Sequence, residues 1–336
     1  MHKAVLFLLL QLIVIFSQAQ YAPAADEEGT TAIHKDSSII KAWVSDCRVQ
    51  RGYIDIEDTT KEDNDTNRAS FGADTNVLGY PSGNMDVVSL GDGGTALVRF
   101  DGIIYNAQGP DFAVFENGFK KDTNNYFLEL AFVEVSSDSV HFVRFPSVSL
   151  TQTDTQIGGF EGIDPKKIHN LAGKYVNDYG TPFDLDDLKD SANIDINNIR
   201  FIRLVDVVGD IHNGYATYDS QGHKINEPWS TAFKSGGFDL NAVGAIHIHL
   251  YNEVDDKALR PGKIYPNPVS VDGIVKLDGF GEQNEVAIYT LTGRCIWENK
   301  NVTSLNVRKQ IGRQGVFVVK IKHGKRFFTQ RIIVIQ

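Results

Sequence analysis

Ile199-Arg200-Phe201-Ile202-Arg203-Leu204-Val205-Asp206-Val207-Val208 is the stretch on which the fold turns. Read as a strand, it places Ile202, Leu204, Asp206 and Val208 on one face. Runs of the same kind recur at Val87–Leu90, Thr95–Phe100, Phe112–Phe115, Phe127–Val135, Phe142–Phe145 and Val243–Leu250, with Gly, Asn, Asp and Pro clusters between them. Helical periodicity is scarce. Only Asp164–Asn170 and Asp184–Lys189 read as a turn or two of helix, with Asp164 and Asp184 as N-caps. Many strands joined by polar turns predict an all-β chain, with a jelly-roll-like β-sandwich over residues 39–252.

Outward from that body, the two ends differ in kind. Lys3, the apolar run Ala4–Phe16 and Ser17-Gln18-Ala19 read as a secretory signal peptide over residues 1–19. The apolar run is short for a membrane span, which needs about 20 residues, and no other segment reads as one, so an integral membrane protein is not expected. Residues 20–38 are acidic, rich in small residues and without periodicity, and predict a loose leader. Charge divides the chain of 336 residues. Residues 20–262 carry 20 Lys/Arg and 38 Asp/Glu, while the tail from Lys263 carries 12 and 5, a net of +7. An acidic body argues against nucleic-acid binding. The sign change supports a linker at 253–262. Cys47 and Cys295 fall in different predicted domains, make no disulfide framework or zinc spacing, and are expected as buried apolar side chains.

The tail opens on Ile264-Tyr265-Pro266-Asn267-Pro268, continues through Val286-Ala287-Ile288-Tyr289-Thr290-Leu291-Thr292-Gly293 and Gly315-Val316-Phe317-Val318-Val319-Lys320-Ile321, and closes on the basic and apolar strand Lys325–Gln336. In pattern it is a small immunoglobulin-like β-sandwich, with turns at Leu291-Thr292-Gly293 and His323-Gly324-Lys325. Over residues 263–336 it resembles the type A C-terminal sorting domain of type IX secretion. The resemblance implies recognition by the type IX secretion machinery, removal of the tail, and release or attachment of the cargo at the outer cell surface.

The body resembles an uncharacterised family of bacterial cell-surface proteins. The carrying stretches include Val88-Ser89-Leu90-Gly91-Asp92-Gly93-Gly94, Gly109–Gly118, Glu129–Asp138, Leu171-Ala172-Gly173-Lys174, Gly180–Leu185, Val205–Asp210 and Gly236-Gly237-Phe238-Asp239-Leu240. An association of such proteins with outer-membrane cobalamin uptake makes an accessory role in corrinoid uptake an alternative.

The residues themselves suggest a site through carboxylates on faces otherwise fit for burial. Glu116 continues the face of Phe112 and Val114, Glu134 that of Leu130 and Phe132, and Asp206 that of Ile202 and Leu204. A buried carboxylate needs a partner or a cation. Glu116, Asp206, Asp210 and Asp239, beside Gly-rich turns, are the candidate ligands of a structural Ca2+, although no contiguous EF-hand loop is present. Arg200 and Arg203 stand near enough in sequence to pair with a carboxylate instead. His247-Ile248-His249 suggests a metal pair, with His212 or Asp239 as a third ligand, but lacks diagnostic spacing.

The long loop Asp210–Lys234 offers Tyr215, Tyr218, Asp219 and Trp229 as a ligand site for a surface glycan or another flat polar ligand. No G-x-S-x-G elbow, P-loop or dinucleotide fingerprint occurs. Paired carboxylates leave a surface glycan hydrolase open as a further alternative. The expectation is a non-catalytic binding or structural protein, calcium-braced, delivered to the cell surface.

Overall fold

The computed structural model describes residues 21–212, 214–251, 263–280, 284–323 and 326–336. The expected signal peptide and linker lie outside the described residues. The chain forms two compact units, Met1–Leu250 and Tyr251–Gln336.

Eight principal strands build the first unit: Ala42–Trp43, Thr95–Arg99, Phe112–Glu116, Ala131–Ser136, Val143–Arg144, Tyr179–Phe183, Phe201–Asp206 and Asp239–Ala245. The first pairs with the eighth, the second with the seventh, the third with the sixth and the fourth with the fifth, all antiparallel. That nesting is one long hairpin. The eighth strand then also pairs with the third, and the seventh with the fourth. The hairpin is thereby rolled into two sheets, which is the jelly-roll arrangement. Ile33–His34 and Val88–Ser89 extend the first sheet, and Asp46–Gln50 extends the second.

The period-two pattern explains the core. Phe112 and Val114 of the first sheet and Ala96, Val98, Val133, Val135, Ile202 and Leu204 of the second meet in one buried cluster. Phe112 stacks on Phe183 at 5.4 Å, and Phe145 packs edge-on against both. Burying each such side chain contributes about 1.5–3 kcal/mol. The alternate residues Ala113 and Phe115 face outward, yet a second cluster with Ile33, Ala242 and Ile246 covers them. Hence the Phe112–Glu116 strand is buried on both faces.

The stretch expected as a loose leader is built into this unit. Tyr21 N–H donates to the Lys166 carbonyl, Ala24 is buried, and Ile33 pairs in register with Gly180. Its few apolar residues are spaced to meet pre-existing clusters, a pattern that carries no local periodicity. The two expected helical turns are 3-10 turns at Pro165–Lys167 and Leu185–Leu188, capped by the carboxylates of Asp164 and Asp184.

In the second unit a three-stranded sheet (Lys263–Tyr265, Ile274–Asp278, Ser304–Asn306) and a five-stranded sheet (Val269–Ser270, Arg326–Ile335, Gly315–His323, Asn284–Thr290, Cys295–Lys300) share one core. The terminal strand is antiparallel to Gly315–His323 and parallel to Val269–Ser270. Asn267 extends that parallel contact. Its side chain accepts from Ile333 N–H and donates to the Arg331 carbonyl, each at 2.8 Å. The opening Pro-Asn-Pro segment and the closing strand are therefore one structural feature. Cys47 is buried as expected, and burial pushes its thiol up to about 12. Cys295, in contrast, is exposed: its strand is at the edge of the five-stranded sheet and pairs on one side only.

Candidate functional site

The four carboxylates expected to share a calcium ion are each buried, and each is held by protein donors. Asp206 accepts Phe238 N–H at 2.7 Å and Gly93 N–H at 2.9 Å, tying the Gly91–Gly94 turn to the Gly236–Gly237 turn. Only glycine fits at 237, where φ is +70° and a Cβ would stand 2.7 Å from Asp206 Oδ1. Asp210 accepts from His212, through its backbone N–H and its ring. Asp239 accepts from the Ser89 hydroxyl and from the Asn117 amide. Glu116 accepts Gly118 N–H at 2.7 Å, leaving its Oε1 buried without a partner. Among the described residues no group of three or more His, Cys, Asp or Glu side chains is arranged to hold a metal ion. The four expected calcium ligands thus do not form such a group, and most of their oxygens already accept from backbone or side-chain donors.

Glu134 has a different solution. It stands opposite Arg144 on one neighbouring strand and Arg203 on the other, and both guanidinium groups reach its carboxylate. Of the two arginines read from sequence, Arg203 makes this pair, while Arg200 turns to Asn198. His247 donates to or accepts from buried Asp111 at 2.7 Å, and His249 stacks on Tyr105.

The loop expected to carry a ligand is largely self-engaged. Asp219 accepts the backbone N–H groups of Ser149, Gln221 and His223, and so anchors its own turn. Tyr215 and Tyr218 are exposed. Trp229 is buried, contrary to its expected place on the surface. Its indole body is covered and its N–H finds Asp92 Oδ2 at 3.2 Å, the usual solution for a buried indole.

A different cleft gathers chemistry that the sequence reading did not. It holds about 370 Å³ and is lined by Phe71, Met85, Asn117, Phe119, Phe127, Glu129, Phe160, Phe233 and Asp239, among others. Four of the chain's exposed large apolar side chains sit on it: Met85 at 61%, Phe119 at 54%, Phe160 at 72% and Phe233 at 47%. Phe119 stacks on Phe127 at 5.1 Å, and Phe160 leans on Phe233 at 5.7 Å. Two carboxylates line it below these rings. Glu129 is 3% exposed and Asp239 7%.

Their electrostatics are unusual. Burial, then the neighbouring Asp239, Glu116, Glu227 and Asp206, push Glu129 well above the usual carboxylate range. Burial raises Asp239 to about 7 against the opposing pull of Ser89, Asn117 and Arg51. Glu116 is raised by burial and by Asp239. Among the described residues no protein donor reaches the Glu129 carboxylate, so its hydrogen-bonding capacity is open toward the cleft. A buried acceptor left without a donor costs about 1–3 kcal/mol, and clefts are where such costs are tolerated.

The signal for Glu129 was present in the chain. It shares parity with Ala131, Val133 and Val135, which face the main core, whereas the sequence reading followed the alternate residues to Glu134. The phenylalanines come from four separated segments, which no local pattern unites. A second cavity of about 650 Å³ contains buried Lys174, but that ammonium already donates to the Ile168 carbonyl at 2.8 Å.

Residues 263–335 match the family model of the secretion system C-terminal sorting domain. Such a sorting domain implies export through type IX secretion, with secretion or cell-surface attachment of the cargo, and places the secretion machinery among its partners. No curated protein matches the chain. Among solved structures it is similar to PorZ, an essential bacterial surface component of the type IX secretion system of Porphyromonas gingivalis, at 21% identity and a TM-score of 0.22, over 29% of this chain and 14% of PorZ. A Faecalibacterium prausnitzii beta-glucuronidase aligns over 89% of this chain and 46% of its own length, at 12% identity and a TM-score of 0.19. The chain thus spans less than half of either structure, and similarities this low assign no activity. Among the described residues no helix is long and apolar enough to cross a membrane.

Proposed function

We propose that the cargo carried by the sorting domain is a non-catalytic binding module of the cell surface, and that its ligand seats in the phenylalanine-rimmed cleft over Glu129 and Asp239. One observation carries the reading. A buried carboxylate with no protein donor faces a concave site whose rim is made of exposed rings. Exposed apolar side chains scattered singly need no explanation, but four around one cleft do. Flat rings with a few polar groups, here Asn117, Thr231 and Ser235, suit the face of a sugar better than an extended apolar ligand. A surface glycan is the ligand class this favours. A corrinoid finds less support, because a corrin ring with its side chains exceeds what this cleft encloses.

The test is binding of the full chain to a panel of surface glycans, alongside Phe160→Ala and Phe233→Ala. Loss of binding in both variants with unchanged melting supports the reading. Retained binding in both removes the cleft from it.

A hydrolase is the second reading, because Glu129 and Asp239 are two raised carboxylates on one cleft, the pairing that glycoside hydrolysis uses. It requires turnover of a bound glycan that Glu129→Gln abolishes while binding persists. Binding without product release from any member of the panel excludes it.

A further inference from the structure

We infer that this cleft selects a ligand bearing a protonated amine, an amino sugar or a comparable ammonium compound, which sets its positive group on Glu129 and Asp239 between the phenylalanine rings. The inference rests on the reading of the cleft as the ligand site and adds the charge of what enters it.

Three carboxylates influence one another at this end of the sandwich, and their free acceptors differ. Asp239 spends its oxygens on Ser89 and Asn117. Glu116 spends one on Gly118 N–H, and its other oxygen is sealed in the interior. Glu129 is the acceptor left facing the cleft.

Two nearby cations are committed elsewhere. Arg51, behind Asp239, donates to the carbonyls of Phe71, Gly72 and Ser89. Lys121 donates to the Phe160 carbonyl, and Lys234 is exposed on the lining. No ion pair to Glu129 exists among the described residues. Behind it stand Glu227 and Asp206, each likewise raised well above the usual carboxylate range by burial.

An anionic ligand would raise these acids further and find no ionic partner among them. A neutral sugar would hydrogen-bond Glu129 without ionising it. A bare divalent cation needs several convergent oxygens, and no such group of three side chains occurs among the described residues. An ammonium group answers both features at once. Its N–H groups suit the open Glu129 oxygens, and ring faces attract cations by about 0.5–2 kcal/mol each.

Proton linkage gives the inference a signature. Burial and its carboxylate neighbours keep Glu129 protonated before the ligand arrives. An ammonium beside it favours the carboxylate, so a proton leaves Glu129 as the ligand binds. Affinity therefore rises with pH until either the free carboxyl or the amine itself has deprotonated. Asp239, Glu116, Glu227, Asp206, Arg51 and Lys234 are the other charged groups around this position, and Asp239 shares in the proton release.

The experiment is calorimetric titration of the full chain with glucosamine, its neutral counterpart N-acetylglucosamine, and ethanolamine, in two buffers of different ionisation enthalpy. Glucosamine is expected to bind at least about tenfold more tightly than N-acetylglucosamine, with proton release. Ethanolamine binding would show that the protonated amine alone is recognised, and its failure beside glucosamine binding would show that the sugar ring contributes; either supports the inference. Glu129→Gln should abolish the preference, with Asp239→Asn as the second variant should the first melt early. Equal affinity for glucosamine and N-acetylglucosamine overturns the inference, as does a preference untouched by both variants, or no binding of either ammonium compound. Calcium chloride that binds through Glu129 while the amines do not overturns it as well. Neutral glycan binding that needs Phe160 and Phe233 would sink the charge inference but leave the ligand site standing. Binding indifferent to both rings would sink the two together.

Discussion

Asp92 is the sharpest place to perturb the acidic interior, because its hydrogen bonds survive removal of the charge. Ile56 N–H and Trp229 Nε1–H both reach a single oxygen, Oδ2, at 2.8 and 3.2 Å. In Asp92→Asn the amide oxygen takes that place and keeps both. Burial is the main cause that raises Asp92 from 3.8 to about 6, with Asp55 and Asp210 adding to it. The folded state thus binds more protons than the unfolded state between pH 4 and 6. Stability must fall as pH rises through that window, and the loss is complete above the folded value. Two units at about 1.4 kcal/mol each make that loss about 3 kcal/mol. The variant escapes it, at the cost of placing an amide N–H2 where Oδ1 stood, about 1–3 kcal/mol if it finds no acceptor. That cost is independent of pH and cancels in a difference. Urea unfolding of both proteins at pH 4 and pH 7 gives the two stability differences. The difference between them should be about 2–3 kcal/mol in favour of the variant at pH 7, since the unfolded carboxyl is already partly ionised at pH 4. Equal effects at the two pH values would refute the claim that burial raises Asp92.

Further outcomes follow from other parts of the fold. Phe160→Ala should leave the melting temperature within about 1 °C, because its side chain is 72% exposed and surface substitutions of this kind usually change stability by less than about 0.5 kcal/mol; a large loss in a thermal melt would show that the rim is a packing element. Glu134→Gln removes the charge that Arg144 and Arg203 share and one of its two acceptor oxygens, and should cost about 1–3 kcal/mol in urea unfolding; no change would make those pairs decorative. Asn267→Ala should destabilise the sorting domain by about 1–2 kcal/mol and leave the jelly roll unchanged, as read by domain-resolved hydrogen exchange. Deletion of residues 325–336 removes a strand paired on both sides and carrying buried Ile332 and Val334; the truncated protein should remain in the periplasm, and surface display of it would refute the sorting role. Chelator should not move the melting temperature, since Asp206 already accepts two backbone N–H groups; a clear fall would restore calcium as a brace.

Alternation along Ile199–Val208 was enough to read a strand, because Phe201–Asp206 alternates buried and half-buried residues, whereas strands buried on both faces, such as Phe112–Glu116, read as short apolar runs. The rolled pairing of first strand with eighth was legible only as a class. Ala42–Trp43 and Val143–Arg144 are two-residue strands and leave no periodic trace. Residues 21–38 failed as a loose leader for the same reason: Ala24 and Ile33 are single contacts into clusters built by distant residues. The buried carboxylates were visible as polar interruptions of apolar faces, but their partners were not. Backbone N–H groups of Gly93, Gly118 and Phe238 serve them, and any residue type can supply those. The cleft was the least legible part, since Phe119, Phe160 and Phe233 meet only after folding. The sorting domain was the most legible, because its opening Pro-Asn-Pro segment and its closing strand are bonded to each other.

Met85 offers the most direct test of the central claim, that an exported jelly roll binds its ligand in the phenylalanine-rimmed cleft. The chain contains two methionines, and the one within the described residues lines that cleft. With methyl-labelled methionine in the full chain, titration of a binding glycan or amine should move the Met85 signal progressively to a plateau. Saturable binding that leaves that signal in place would put the ligand elsewhere and contradict the account.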